Sequence, residues 1–250
     1  MQACGRMKLL TVANAKTSKG ESLGYLTGIL YLAPANESGV RNVCPYASAG
    51  CKSGCLYTAG RAQIFPHIQE ARIRKTRLLV SNRKLFLEML RADIRSLIKR
   101  AAKLRMCPAV RINGTSDIAD IPHLMAAEFP DVQFYDYTKI PRPYLRARGN
   151  YHVTFSLSES NSAAAIDALE HGVNVAAVFH IKRGAPLPKT YLGAPVIDGD
   201  LHDLRFLDGY QGAIIGLRAK GVAKRDSSGF VQILPVAPVS STSKTQREAA

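Results

Sequence analysis

The apolar positions of this chain change period as it proceeds. From Tyr25 to Ala35 they run almost unbroken, YLTGILYLAPA, and end in turn-prone residues, which predicts a buried strand. A Gly- and Ser-rich loop follows, holding Cys44, Cys51 and Cys55. From about Ala62 the pattern turns helical, with Ile64, Ile68, Arg72 and Lys75 at helix spacing. Ser81 and Asn82 are residues that cap a helix start. Phe86, Leu90, Ile94, Leu97, Ile98 and Ala101 then form an apolar stripe at helical steps, with Arg91, Arg95, Lys99 and Lys103 lying off it.

After Pro108 a rhythm sets in. AVRINGTSD, VQFYDYTK, YHVTFSLSES, VNVAAVFHIKRG, APVIDGD and GAIIGLRAKG each read as a short apolar strand ending in polar residues; IPHLMAAEF and SAAAIDALEHG read as helices between them. Strand alternating with helix predicts an α/β fold with a parallel sheet, a partial or full (β/α) barrel of the TIM-barrel type. With no linker in view, residues 1–235 are expected to form one domain. The Ser-, Thr- and charge-rich end, residues 236–250, is expected to be disordered.

Polar residues cluster where each strand ends, the side on which α/β sheets and barrels bind ligands. One rim is therefore predicted from Asn113, Ser116 and Asp117; Asp136 and Lys139; Ser156, Ser158 and Glu159; Lys182 and Arg183; Asp198 and Asp200; and Arg218 and Lys220. Charge sharpens this picture. The 250-residue chain carries a formal net charge of +15, which favours an anionic partner such as a nucleotide or nucleic acid. Much of the excess lies between Arg61 and Arg105, in ARIRKTR, SNRK and IKRAAKLR, where a solvated helix face is the plainer reading. No run approaches the roughly eighteen apolar residues of a membrane span. The first residues lack the pattern of a secretory signal, so a cytoplasmic location is expected, in a bacterial host if the protein is viral.

The five cysteines are an odd number, and in a reducing compartment they suggest metal, catalysis or burial before disulfides. Cys44, Cys51 and Cys55 are spaced C-x6-C-x3-C. A zinc site would require a fourth ligand, His67 or Cys107 being candidates. Cys107 precedes a strand and is expected at the end opposite the rim; Cys4 falls near the N-terminus. Three clustered thiolates also suit a [4Fe–4S] cluster with one iron left open to an outside ligand.

The order strand, three-cysteine loop, helix, strand, polar turn resembles the start of the radical S-adenosylmethionine superfamily, though the usual C-x3-C-x2-C spacing and Gly-Gly-Glu turn are absent. The resemblance implies a [4Fe–4S] cluster on Cys44, Cys51 and Cys55, and S-adenosylmethionine held by Asn113, Gly114 and Ser116 and by Ser156, Ser158 and Glu159. Asp117, Asp136, Lys139, Asp198, Asp200 and Arg218 are then the candidates to act on substrate. The segments GYLTGILYLAPAN, CPYASAGC, ARIRKTR, RINGTSDI, VQFYDYTK, VIDGD and GLRAKG also look like those of a phage protein family labelled after a numbered mycobacteriophage gene product, over about Lys8 to Val231. That resemblance implies a viral or prophage origin and no particular chemistry.

Two other readings compete. One is a zinc-containing barrel enzyme acting on nucleic-acid bases by base exchange or at the glycosidic bond, with Asp117, Asp136 or Asp198 as nucleophile or acid. The other is a basic DNA- or RNA-binding protein without catalysis.

Overall fold

A computed structural model describes residues 7–12, 19–58 and 64–234. Cys4 and the end at 236–250 lie outside these residues. The fold is mixed α/β around a ten-stranded, mostly parallel sheet. Its strands are β1 (Leu10–Thr11), β2 (Tyr25–Leu30), β3 (Cys107–Arg111), β4 (Gln133–Thr138), β5 (Tyr151–Ser156), β6 (Val175–Phe179), β7 (Thr190–Tyr191), β8 (Ala194–Asp198), β9 (Ile214–Arg218) and β10 (Val231–Gln232). Fully described α-helices are α1 (Ala49–Ser53), α2 (Pro66–Ser81), α3 (Arg83–Leu104), α4 (Asp120–Glu128) and α5 (Ser162–Glu170).

Neighbours run β1-β2-β3-β4-β5-β6-β9-β8-β7, and every pair from β2 to β8 is parallel. Antiparallel β1 and β7 stand at the two edges, so the pairing path is open among the described residues. The strand rhythm read from the sequence is therefore present, with two departures in pairing: β9 inserts between β6 and β8, and β10 pairs with β6. β9 pairs with all of β6, from Val175 to Phe179, which leaves β6 one other side. On that side β5 pairs only with Val175 and Ala176, and β10 takes up Val178 and Phe179. The sheet thus splits between β5 and β6 toward its carboxyl end, and the last described strand fills the split.

The pleat sends alternate residues to two different environments. Val110 of β3 and Phe134 of β4 join Leu90, Ile94 and Leu97 of α3 in the main apolar core. Ala109 and Tyr135, one residue away, pack instead on Leu204 in the segment after β8. The predicted stripe of α3 is buried at Phe86, Leu90, Ile94, Leu97 and Ala101. The helix starts at Asn82, whose side chain accepts the Leu85 N–H at 3.0 Å. Among the described residues no helix is long and apolar enough to cross a membrane.

α2 behaves differently from a solvated basic helix. Arg72, Lys75 and Thr76 are buried. Lys75 Nζ donates to the Leu9 carbonyl at 2.7 Å, and the Asp93 carboxylate of α3 receives the Leu9 and Leu10 N–H groups. Thr76 Oγ1 accepts the Ala33 N–H at 2.9 Å, tying α2 to the chain leaving β2.

Candidate active site

A cavity of about 680 Å3 opens at the carboxyl ends of the parallel strands. Arg111, Thr138, Ser156, Val178 and Arg218, from five successive neighbours in the sheet, all line it. So do Cys44, Cys51 and Cys55. Cys107 is exposed at the opposite, amino end of β3, where its N–H meets the Gly24 carbonyl.

The cysteine loop is held from two sides. Near Cys44, the Asp117 N–H donates to the Val43 carbonyl at 2.8 Å, and the Cys44 thiol points to the Thr115 carbonyl at 3.7 Å. Around Cys51, Ser48 caps α1 by accepting the Cys51 N–H and donates its own hydroxyl to Glu159 at 2.7 Å. The other Glu159 oxygen accepts the Gly50 N–H at 2.7 Å. Gly50 must be glycine here: a Cβ would run into Ser228 Oγ and come within 2.6 Å of Phe230 Cβ. α1 therefore rests on Glu159 after β5 and on the chain entering β10, at the point where the sheet splits. Burial raises Glu159, but the Ser48 hydroxyl and Gly50 N–H outweigh it and hold the carboxylate below its ordinary pKa.

The turn at Asn113–Asp117 is a closed network. The Asn113 side chain accepts from Ser116 Oγ and the Ile118 N–H, and donates to the Ile118 carbonyl and Asp136. Gly114 packs so close to β2 that a Cβ would lie 2.7 Å from the Leu30 carbonyl. Asp117 accepts Thr138 Oγ1 at 2.7 Å and the Lys139 N–H at 2.8 Å. Burial nevertheless pushes Asp117 up. Asp136 is buried and is not among the cavity-lining residues; it accepts the Asn113 N–H at 2.6 Å, and is pushed up to about 7 by burial against that bond and the Arg111 charge.

Other candidates divide in the same way. Lys139 and Ser156 face the cavity together, joined at 2.8 Å, with the ammonium 5.6 Å from the Phe230 ring centroid. Arg218 and Asp200 face it too; Arg218 bridges Asp198 and Asp200, and Lys220 pairs with Asp200 at 2.6 Å. Asp198, Ser158, Glu159, Lys182 and Arg183 are not among the cavity-lining residues. Ser158 is buried, and its hydroxyl has no hydrogen-bond partner among the described residues.

The structure adds residues that sequence reasoning passed over. Arg111 pairs with Asp203 at 2.9 Å and stacks 4.6 Å from the Tyr137 ring centroid. Its inward alternation with Ala109 was a readable signal. Phe230 carried none, since its position depends on β10 finding β6.

For a metal, the cysteines are the donors at hand. Burial pushes Cys44 up to about 11, with Cys55, Asp117 and Cys51 adding their charge; burial also raises Cys55 against the Tyr57 N–H. These two are neutral thiols at pH 7 unless a metal displaces their protons. Among the described residues no three His, Cys, Asp or Glu side chains already stand together as a metal-ion site. What the site offers toward a cluster is three soft thiol donors lining one cavity and, beside Cys55, the buried guanidinium of Arg72, whose Nε and Nη1 have no hydrogen-bond partner among the described residues.

A family model, Gene product 88, matches residues 8–233. The chain belongs to the Gene product 88 family. The resemblance to a numbered phage gene product is thereby established over most of the chain. No curated protein and no solved structure matches it. In this Gene product 88 protein the matched span takes in both the cysteine loop and the strand ends that share its cavity.

Proposed function

We propose that this Gene product 88 protein is an iron–sulfur enzyme of the radical S-adenosylmethionine type, built on a partial (β/α) barrel and acting on an anionic substrate. The observation that carries the reading is that Cys44, Cys51 and Cys55 open onto the same cavity as the polar strand ends. These three cysteines would hold the cluster, which when bound supplies one-electron chemistry.

The chain's own residues divide the remaining work. Glu159 and the Ser228–Phe230 segment hold α1, and with it Cys51, in place. Lys139, steadied by Ser156, offers an ammonium to a carboxylate or phosphate. Lys19, Lys52, Arg111, Lys139, Arg218 and Lys220 line the cavity against the carboxylates of Glu37, Asp117, Asp200 and Asp203, an excess of positive charge that suits a nucleotide, a nucleic acid or another anion. Ala176, Val178, Leu217 and Phe230 give it an apolar wall that keeps water from a reactive ligand. Asn113, Asp117 and Asp136 shape the wall, their polar atoms already engaged with each other and with the backbone.

The test is anaerobic purification followed by iron and acid-labile sulfide analysis. Iron and sulfide in comparable amounts are expected, and Cys44→Ser, Cys51→Ser and Cys55→Ser should each lose most of both. Wild-type protein that stays colourless and iron-free after reconstitution would sink the reading. Zinc without sulfide would replace it with a zinc enzyme.

A further inference from the structure

Among the described residues, Arg72 is a strong charge near the cysteines whose presence the hydrogen-bond network does not explain. It projects from α2 and is 9% exposed. Two of its guanidinium nitrogens, Nε and Nη1, have no hydrogen-bond partner among the described residues. The guanidinium carbon lies 4.9 Å from the Tyr31 ring centroid and 5.4 Å from that of Tyr57. Among the described residues, the acidic groups that act on it are the two phenols and the thiol of Cys55, and no carboxylate is among them. One turn along the same helix, Lys75 is a second buried cation, and the two repel each other.

A guanidinium does not shed its proton in a protein. An uncompensated buried charge is strongly destabilising, and stacking between rings offsets only part of that. Tyr57 follows Cys55 closely and donates its N–H to the Cys55 sulfur at 3.5 Å. Both residues line the cavity, so Arg72 stands directly behind the wall that Cys55 and Tyr57 form.

We propose that Arg72 is the buried counter-charge of a thiolate-ligated iron–sulfur cluster at Cys55, held in place by the rings of Tyr31 and Tyr57. This rests on reading Cys44, Cys51 and Cys55 as cluster ligands. Arg72 is then a positioning and tuning residue. Its positive charge stabilises the anionic, cluster-bound form of the site and makes the cluster easier to reduce.

The test compares wild type with Arg72→Met and Arg72→Lys, each as full-length protein in metal-free and reconstituted forms. Without metal, Arg72→Met should melt at a higher temperature than wild type, because a lone buried charge has been removed. With the cluster, the same variant should show a more negative reduction potential and lose iron to a chelator several-fold faster, while Arg72→Lys stays near wild type in both. A packing role for the stacked guanidinium would instead lower the melting temperature of the metal-free form. That result, or a potential and iron-loss rate unchanged in Arg72→Met, overturns the proposal. Failure of both Arg72→Met and Arg72→Gln to fold without metal also overturns it, since removal of the charge is expected to relieve that form. A wild type that takes up no iron and sulfide overturns the functional reading along with it; a wild-type cluster indifferent to residue 72 overturns only the role of Arg72.

Discussion

The two long helices α2 and α3 are both rich in Lys and Arg, yet they use their cations in opposite ways. α3 turns an unbroken apolar stripe to the sheet and leaves Arg95, Lys99 and Lys103 exposed. α2 has no such stripe. It buries Arg72 and Lys75 and exposes Arg74 and Arg77. Where a helix faces a continuous core, its charges fall to solvent because the other face is taken. Where it borders a polar cavity and an edge strand, the long side chains can turn inward and meet carbonyls, rings and thiols. Neighbouring basic runs can therefore be a solvated surface in one case and part of a site's foundation in the other.

This contrast can be broken at four points. The largest effect is expected in α3, where Ile94→Ala leaves a cavity under a fully buried stripe and should lower stability by about 2–5 kcal/mol in denaturant titration. Next comes the pH response of Lys75, which burial lowers to about 8 against the attraction of Asp93. Below that value the lysine is charged in both folded and unfolded chains, and the burial penalty is fully present. As pH rises from about 8 toward 10.4 the unfolded chain still binds the proton and the folded one does not, so stability should climb by on the order of 2–3 kcal/mol, and Lys75→Met should abolish the climb. Chemical denaturation across that range measures it.

Thr76→Val tests the tie between α2 and the chain leaving β2. It preserves shape but leaves the buried Ala33 N–H without its acceptor, for an expected loss of about 1–3 kcal/mol. The smallest effect belongs to the outer face of α3: Lys99→Ala and Lys103→Ala should each change stability by less than about 0.5 kcal/mol. If either of these surface changes matched Thr76→Val in cost, the division between the two helices would fail.

How much of this was readable beforehand follows from the same contrast. Periodicity found the α3 stripe and its Asn82 cap, because both signals are local. It marked Arg72 and Lys75 on one face of α2 but could not say what lay across from that face. The polar strand ends were legible because a parallel sheet puts all its carboxyl ends on one side; Lys139, Ser156, Asp200 and Arg218 duly meet the cysteine loop there. Glu159 was legible as a polar strand-end residue but not as the clamp on Gly50 and Ser48, and Asp117 and Asp136 gave no sign that their oxygens are occupied inside the wall. The position of β9 between β6 and β8, and the return of β10 to β6, are pairings between distant segments that no window of sequence contains.

That returning strand also sets an order of events during synthesis. The cysteine loop emerges from the ribosome before the residues that hold it: Glu159, which grips it through Ser48, follows 111 residues after Ser48, and Ser228 and Phe230 later still. Until the stretch from Ser228 to Gln232 has been translated and has docked into the gap between β5 and β6, α1 lacks half of its seat. Full support of α1, and with it of Cys51, therefore requires translation to run past Phe230, and a ribosome halted before residue 228 would leave the loop without its contacts to Ser228 and Phe230.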